Sequence, residues 1–242
     1  AAHGPQQLGA LAAPTSTLEE FYLLARLARG LGSGNVDHRL RQTDFRDDAE
    51  APDFPWLGQS LADLERLQAA LLIGANPRKD QPLVNLRLRK AALTGATVMA
   101  VNPLDYVFNY RLGPKIIAAP HGMVQALAGI AVALGARQNA DVPADVRALV
   151  AGGRPGDAEQ AIAETLFRSE NPAVLLGSAA GTHPQAATLR ALAELIADLS
   201  SAKLGQLPEA NAAGAWIAGC VPHRGTPAGL NAGDLLHTPR KA

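Results

Sequence analysis

Leu71-Leu-Ile-Gly-Ala-Asn-Pro-Arg78 is a short, wholly apolar run that ends in glycine and opens into a polar turn. An apolar run of this length without polar alternation reads as a strand covered on both faces, and the Gly and Pro punctuation ends it. Downstream, the pattern predicts a helix from Pro82 to about Leu93, a turn at Gly95 and a second strand, Thr97-Val-Met-Ala-Val101, closed by Asn102-Pro103. The order then recurs. Val174-Leu-Leu-Gly177 is followed by a polar loop, Pro184 and a long helix to about Ser200. Two βα units of one design predict an α/β fold: a doubly wound, mostly parallel sheet with helices on both faces. The corresponding division is a first unit over residues 1–140, with strands near 71–74 and 97–101, and a second over 141–242, with a strand near 173–177.

The flanking segments fill in the helices. Thr17-Leu-Glu-Glu20 has the capping-box pattern and opens a helix stopped by Gly30. Leu31 to Pro55 reads as an extended loop, which at that length is more often functional or partner-bound. Further helices are expected at Leu61–Gln68, from Pro120 to about Leu134, at Ala144–Val150 and at Asp157–Phe167. The Gly- and Pro-rich stretch from Gly205 to Ala242 is expected to be irregular. Ile116–Ala136 is the most apolar region, but it carries Pro120, His121 and Gln125 and reads as a buried helix rather than a membrane span.

Composition narrows the function. With 48 Ala and 35 Leu among 242 residues and 4% aromatics, the chain favours helices packed through small side chains. Twenty-two acidic residues balance twenty-two basic ones, so no net field draws nucleic acid or an anionic membrane. Residues 1–14 lack the basic flank and apolar run of a signal peptide. The chain has no initiator Met and stops at Thr238-Pro-Arg-Lys-Ala242 without a closing element, so it is expected to be a segment of something longer.

Motifs for catalysis are sparse. The six histidines are far apart in sequence, and there is no P-loop, G-x-S-x-G or H-E-x-x-H. Gly30-Leu-Gly-Ser-Gly34 follows a helix rather than preceding one, so it reads as a helix stop and turn, not a phosphate cradle. Cys220, the single cysteine, reads as a structural thiol despite His223 nearby. Arg78, Lys79, Arg87, Arg89 and Lys90 form the densest basic cluster, either a solvated helix face or a phosphate or partner site. Arg78 is the sharpest member because ligands of open α/β sheets bind where strands end. Asp37-His38-Arg39-Leu40-Arg41 reads as a charged, solvent-facing cluster whose arginines can pair with Asp44, Asp47 and Asp48 or meet a partner.

Leu71 to Arg78, followed by Pro82, Arg87, Arg89-Lys-Ala91, Gly95-Ala96 and Val101-Asn-Pro103, resembles the molybdopterin oxidoreductase family. Within it, Leu27–Ser33, Asn35–Gln42, Asn102-Pro103 with Asp105-Tyr106, Asn211–Gly214 and Val221–Gly225 resemble the large iron–sulfur (G-type) subunits of bacterial NADH:quinone oxidoreductase, respiratory complex I. That resemblance implies a place in the peripheral arm on the cytoplasmic side of the inner membrane, in contact with other peripheral-arm subunits and without membrane insertion. In such subunits a cysteine-rich N-terminal region holds the 2Fe-2S and 4Fe-4S clusters; those ligands are not among these residues. Pterin-using relatives end a strand in Asp-Pro-Arg, where this chain has Asn102-Pro103-Leu104. The implied role is a cofactor-free scaffold, with Gly74, Asn76, Pro77, Arg78 and Asn102 as what remains of a pterin or nucleotide pocket. The alternative is an active molybdopterin- or nucleotide-binding oxidoreductase domain using those same residues.

Overall fold

The structure is a computed structural model that describes residues 4–41 and 43–237. His3, one of the six histidines, Gln42 and the end from Thr238 lie outside them. In chain order the elements are β1 (Ala10–Leu11), α1 (Leu18–Gly30), β2 (Val36–Asp37), β3 (Ala69–Ile73), α2 (Pro77–Asp80), α3 (Pro82–Leu93), β4 (Thr97–Asn102), β5 (Lys115–Ile117), α4 (Pro120–Gln138), α5 (Ala144–Ala148), α6 (Asp157–Arg168), β6 (Pro172–Leu176), α7 (Ser178–Gly181), α8 (Ala186–Ser200), β7 (Lys203–Gln206), α9 (Ala212–Ile217) and α10 (Ala232–His237). Among the described residues no helix is long and apolar enough to cross a membrane.

The chain forms two compact units, and their division differs from the one expected at residue 140. One unit comprises residues 56–207; the other joins residues 1–55 to 208–242. The reason lies in the sheet. β6, placed by the sequence reading in a second unit, pairs directly with β3, Ala69 opposite Pro172 through Ile73 opposite Leu176. No boundary can fall between two strands that share a ladder.

The larger unit is built on a five-stranded, wholly parallel sheet in the order β5-β4-β3-β6-β7. Every residue of β3 is buried, and its alternate side chains serve opposite faces. Ala69, Leu71 and Ile73 join the core formed with α4, α6 and α8; Ala70 and Leu72 join a second core with Val84 and Leu88 of α3. The expected double covering is therefore present. α4 lies deepest of the helices, eleven of its nineteen residues buried, among them Gly129 and Gly135. A methyl at Gly129 would stand 2.9 Å from Glu159 Cγ, so the small residue sets how closely α6 approaches.

Several expectations are corrected here. Leu61–Gln68 forms only a single 3-10 turn, Asp63–Arg66, because the chain must straighten at Leu67 to enter β3. The helix expected from Pro184 to about Ser200 is α8, while the polar loop expected before it holds a single helical turn, α7. The basic residues Arg87 and Lys90 are not a free cationic face: both contact the carboxylate of Glu65, Lys90 at 2.9 Å.

In the smaller unit, α1 carries the expected capping box, Thr17 Oγ1 accepting from Glu20 N and Glu20 Oε2 accepting from Thr17 N. β1 and β2 form a two-stranded parallel pair, so the Leu31–Pro55 segment is not wholly loop. Nor is the Gly/Pro-rich end irregular, since it holds α9 and α10. The cluster at 37–41 is not solvent-facing at its start: Asp37 and His38 are buried. Asp37 accepts from His38 N (2.8 Å), Arg39 N (3.1 Å), Arg39 Nε (2.9 Å), Arg39 Nη2 (3.0 Å) and Ala232 N (3.0 Å). Five donors on one carboxylate allow it to be charged inside the unit.

Candidate functional site

β3 and β6 lie side by side, and the chain leaves them in opposite directions, through α3 to β4 and through α8 to β7. Their carboxyl ends define the switch point where ligands of such sheets are held. The structure brings four of the five sequence-proposed residues, Gly74, Asn76, Pro77 and Asn102, to this end. Arg78, the fifth, follows on the exposed surface of α2, and its Nη1 donates to Val107 O at 2.9 Å.

The crevice is closed by the chain itself. Asn102, buried at the end of β4, reaches across to the loop after β3: its Oδ1 accepts from Ala75 N at 2.8 Å and its Nδ2 donates to Ala75 O at 3.2 Å. A carboxamide suits this place because it brings both an acceptor for the N–H and a donor for the C=O of the one residue Ala75. Gly74 has φ +56, and a methyl there would lie 2.4 Å from Ala180 N. A methyl at Gly177 would lie 2.4 Å from Ala75 Cα. The loops after β3 and β6 therefore pack backbone on backbone, and Ser178 Oγ joins them again by donating to Asp80 Oδ2 at 2.8 Å.

This arrangement can be tested against the nucleotide that a pterin cofactor carries. Phosphate binding at a strand-to-helix turn needs unpaired amides. Here Gly74 N donates to Val101 O, Ala75 N to Asn102 Oδ1, Gly177 N to Ile73 O, Ala179 N to Gly74 O and Ala180 N to Gly177 O. The space that glycine leaves is filled by backbone, not left for a ligand. These five amides are engaged within the chain. Among the side chains at this end, the buried Asn76 Oδ1 has no hydrogen-bond partner among the described residues.

Two other candidates resolve structurally. Cys220 is buried and its thiol is pushed up to about 12, by burial first and by Asp37 second. Its reaction with iodoacetamide at pH 8 is therefore expected to be negligible in the folded chain and prompt after denaturation, as intact-mass spectrometry would read. His183, just before Pro184, is a positioning group: its Nδ1 accepts from Gln185 N (2.9 Å), which leaves Nε2 to donate to Pro120 O (2.8 Å) and tie the start of α8 to the start of α4. Among the described residues no three His, Cys, Asp or Glu stand together to hold a metal ion. Sequence reasoning missed an aromatic pocket of about 300 Å³ between β4 and β5, lined by residues including Tyr106, Phe108 and Tyr110; the run Tyr106–Tyr110 was its signal.

The sequence profile described as Molybdopterin oxidoreductase matches residues 1–228. The chain belongs to that family. Among its curated relatives are the G subunits of NADH-quinone oxidoreductase from Rickettsia conorii, 32% identical over 84 residues, and from Mycobacterium bovis, 38% identical over 92. Each alignment covers 35% of this chain but only 12% and 11% of the relative, so the likeness spans a small part of those proteins. Among solved structures, one protein of the formyltransferase/hydrolase complex from Methylorubrum extorquens superposes with a TM-score of 0.50 at 13% identity, over 83% of this chain and 52% of that one. That likeness concerns the fold alone.

In pterin-using members of the family the resemblance placed an acid where this chain has Asn102. Asn102→Asp is expected to be destabilising at pH 7 by about 1–3 kcal/mol, because a carboxylate cannot donate to Ala75 O and would face it unpaired. Protonation restores a donor. The aspartate's folded pKa would thus be raised, and the loss should shrink as the pH falls from 7 towards 5 in urea unfolding.

Proposed function

We propose that this chain is a segment of the large iron–sulfur subunit, the G subunit, of a bacterial NADH:quinone oxidoreductase. That complex passes electrons from NADH to quinone and couples the transfer to proton translocation. The segment acts within it as a cofactor-free scaffold in contact with other peripheral-arm subunits, on the cytoplasmic side of the inner membrane. The iron–sulfur clusters of the subunit are held by other residues. The reading is supported by family membership and by the two relatives that are G subunits of such complexes. The observation that carries the scaffold role is the closed switch point, where the Asn102 carboxamide occupies Ala75 and the glycines pack against backbone.

A second reading, an active molybdopterin- or nucleotide-binding oxidoreductase domain, draws on the family match and on the unpartnered Asn76 Oδ1 acceptor. Native electrophoresis of source-cell membranes separates the two, using an antibody to this chain and a stain for NADH dehydrogenase. The scaffold reading expects the chain in the activity band and no molybdenum or pterin bound to these residues. A species outside that band overturns it. Stoichiometric pterin lost on Arg78→Ala would establish the second reading instead.

A further inference from the structure

The aromatic cavity beside β5 is not used by the scaffold role. β4 and β5 run parallel, so the chain must cross over between them, and here residues 103–114 do so as a loop instead of a helix. Two of the chain's three tyrosines and one of its five phenylalanines fall within Tyr106–Tyr110 of that loop. A chain that packs mainly through Ala and Leu thus gathers rings at one place. Phe108 and Tyr110, their ring centres 5.4 Å apart and inclined at 45°, rest on the sheet's second core, and with Tyr106 they wall the space of about 300 Å³. That volume stands at the small end of ligand sites. The Tyr110 hydroxyl is shielded and has no hydrogen-bond partner among the described residues, so this residue presents its ring to the cavity and not its polar end.

Two charged side chains belong to the lining. Lys115 Nζ donates to both carboxylate oxygens of Asp105, each at 2.7 Å, and the two side chains are 42% and 58% exposed. An ion pair so exposed is weakly held, and a ligand can displace either partner. The surrounding charge decides which. Asp105 is the one acid of the loop, whereas Arg111 stands exposed between the lining residues Tyr110 and Leu112, and Arg78 Nη1 is fixed to the carbonyl of Val107, also in the lining. On α2, Lys79 offsets Asp80. The excess is basic and favours an incoming anion over a cation.

We propose that this cavity binds a small planar aromatic carboxylate, its ring seated against Tyr106, Phe108 and Tyr110 and its carboxylate taking Lys115 from Asp105. Ring walls pair by face and edge with a flat ring and not with a saturated one. The ammonium exchanges one carboxylate for another, so its charge-assisted hydrogen bonds are kept, and the released Asp105 is already largely in water. None of the lining residues belongs to the closed switch point, so binding here requires neither a pterin nor an opened crevice.

The test titrates the 242-residue chain at pH 7 by calorimetry with naphthoate, the neutral naphthamide and the saturated decalin carboxylate. Naphthoate is expected to bind at a single site, about tenfold tighter than either of the others, since each lacks one of the two contacts. Lys115→Gln should weaken naphthoate by about tenfold, the usual scale for a lost charge-assisted hydrogen bond. Phe108→Leu should weaken it too. Asp105→Asn should tighten it, because Lys115 loses its resident partner. Lys115→Gln and Asp105→Asn break the same ion pair, so an effect on the fold alone would move both alike, whereas the proposal requires opposite shifts. No binding of naphthoate, equal binding of the three probes, or shifts of the same sign in the two variants overturns it.

Discussion

Arg39→Met is expected to lower the unfolding free energy by about 3–5 kcal/mol at pH 7, the usual loss when one partner of a buried ion pair is removed. Asp37 is fully buried, and three of its hydrogen-bonding atoms besides the guanidinium are backbone amides that stay in place. The methionine fills the volume of the arginine stem, so the loss reports the charge and its hydrogen bonds rather than a cavity. The pH dependence identifies the cause. Burial on its own would raise the Asp37 carboxyl, but Arg39 and the amides hold it below its ordinary 3.8. In the unsubstituted chain its contribution is therefore present above that value and lost as the pH falls through the lower folded one. In Arg39→Met burial is the stronger influence, the folded value rises, and stability should improve from pH 7 to 5. Urea unfolding at the two pH values reads this reversal, and a loss that is the same at both would assign the effect to packing.

The central strands were legible because each is an apolar run bounded by a glycine or proline, and burial on both faces requires no more. β5 and β7 were not. Lys115-Ile-Ile117 and Lys203-Leu-Gly-Gln206 are short edge strands, each with a lysine and only partial burial, and neither periodicity nor composition marks them. The six-residue helices α9 and α10 fail for a related reason: they are too short to display a period and lie among Gly and Pro. The smaller unit depends on pairings such as Asp37 with Ala232, 195 residues apart, which a reading of neighbouring segments does not contain.

The candidate site was legible in position but not in state. Gly74, Asn76 and Asn102 follow from strand ends alone, since sheet topology fixes where strand ends converge. Whether the crevice is open depends on Ala180 and Ala75, whose sequence gives no hint that their backbone fills it. The burial of Asp37 was missed because a charged run is ordinarily solvated, and the arginine that neutralises it sits only two residues away, which looks like a surface pair.

Gly74→Ala measures that closure directly. The residue has φ +56, a conformation that costs an L-residue roughly 1–2 kcal/mol. Its new methyl would also stand 2.4 Å from Ala180 N, a backbone atom that cannot rotate aside, and overpacking of this kind adds about 1–3 kcal/mol. Gly152→Ala is the control, with φ +65 and nothing within 4 Å of the added carbon, so it carries the conformational cost alone. The expected losses are about 2–5 kcal/mol for Gly74→Ala and about 1–2 kcal/mol for Gly152→Ala in urea unfolding. The difference between them is the tightness with which the loops after β3 and β6 fill the switch point. Equal losses would mean that Ala180 yields easily and the crevice can open to admit a ligand, and the case for a cofactor-free scaffold would lose the observation on which it stands.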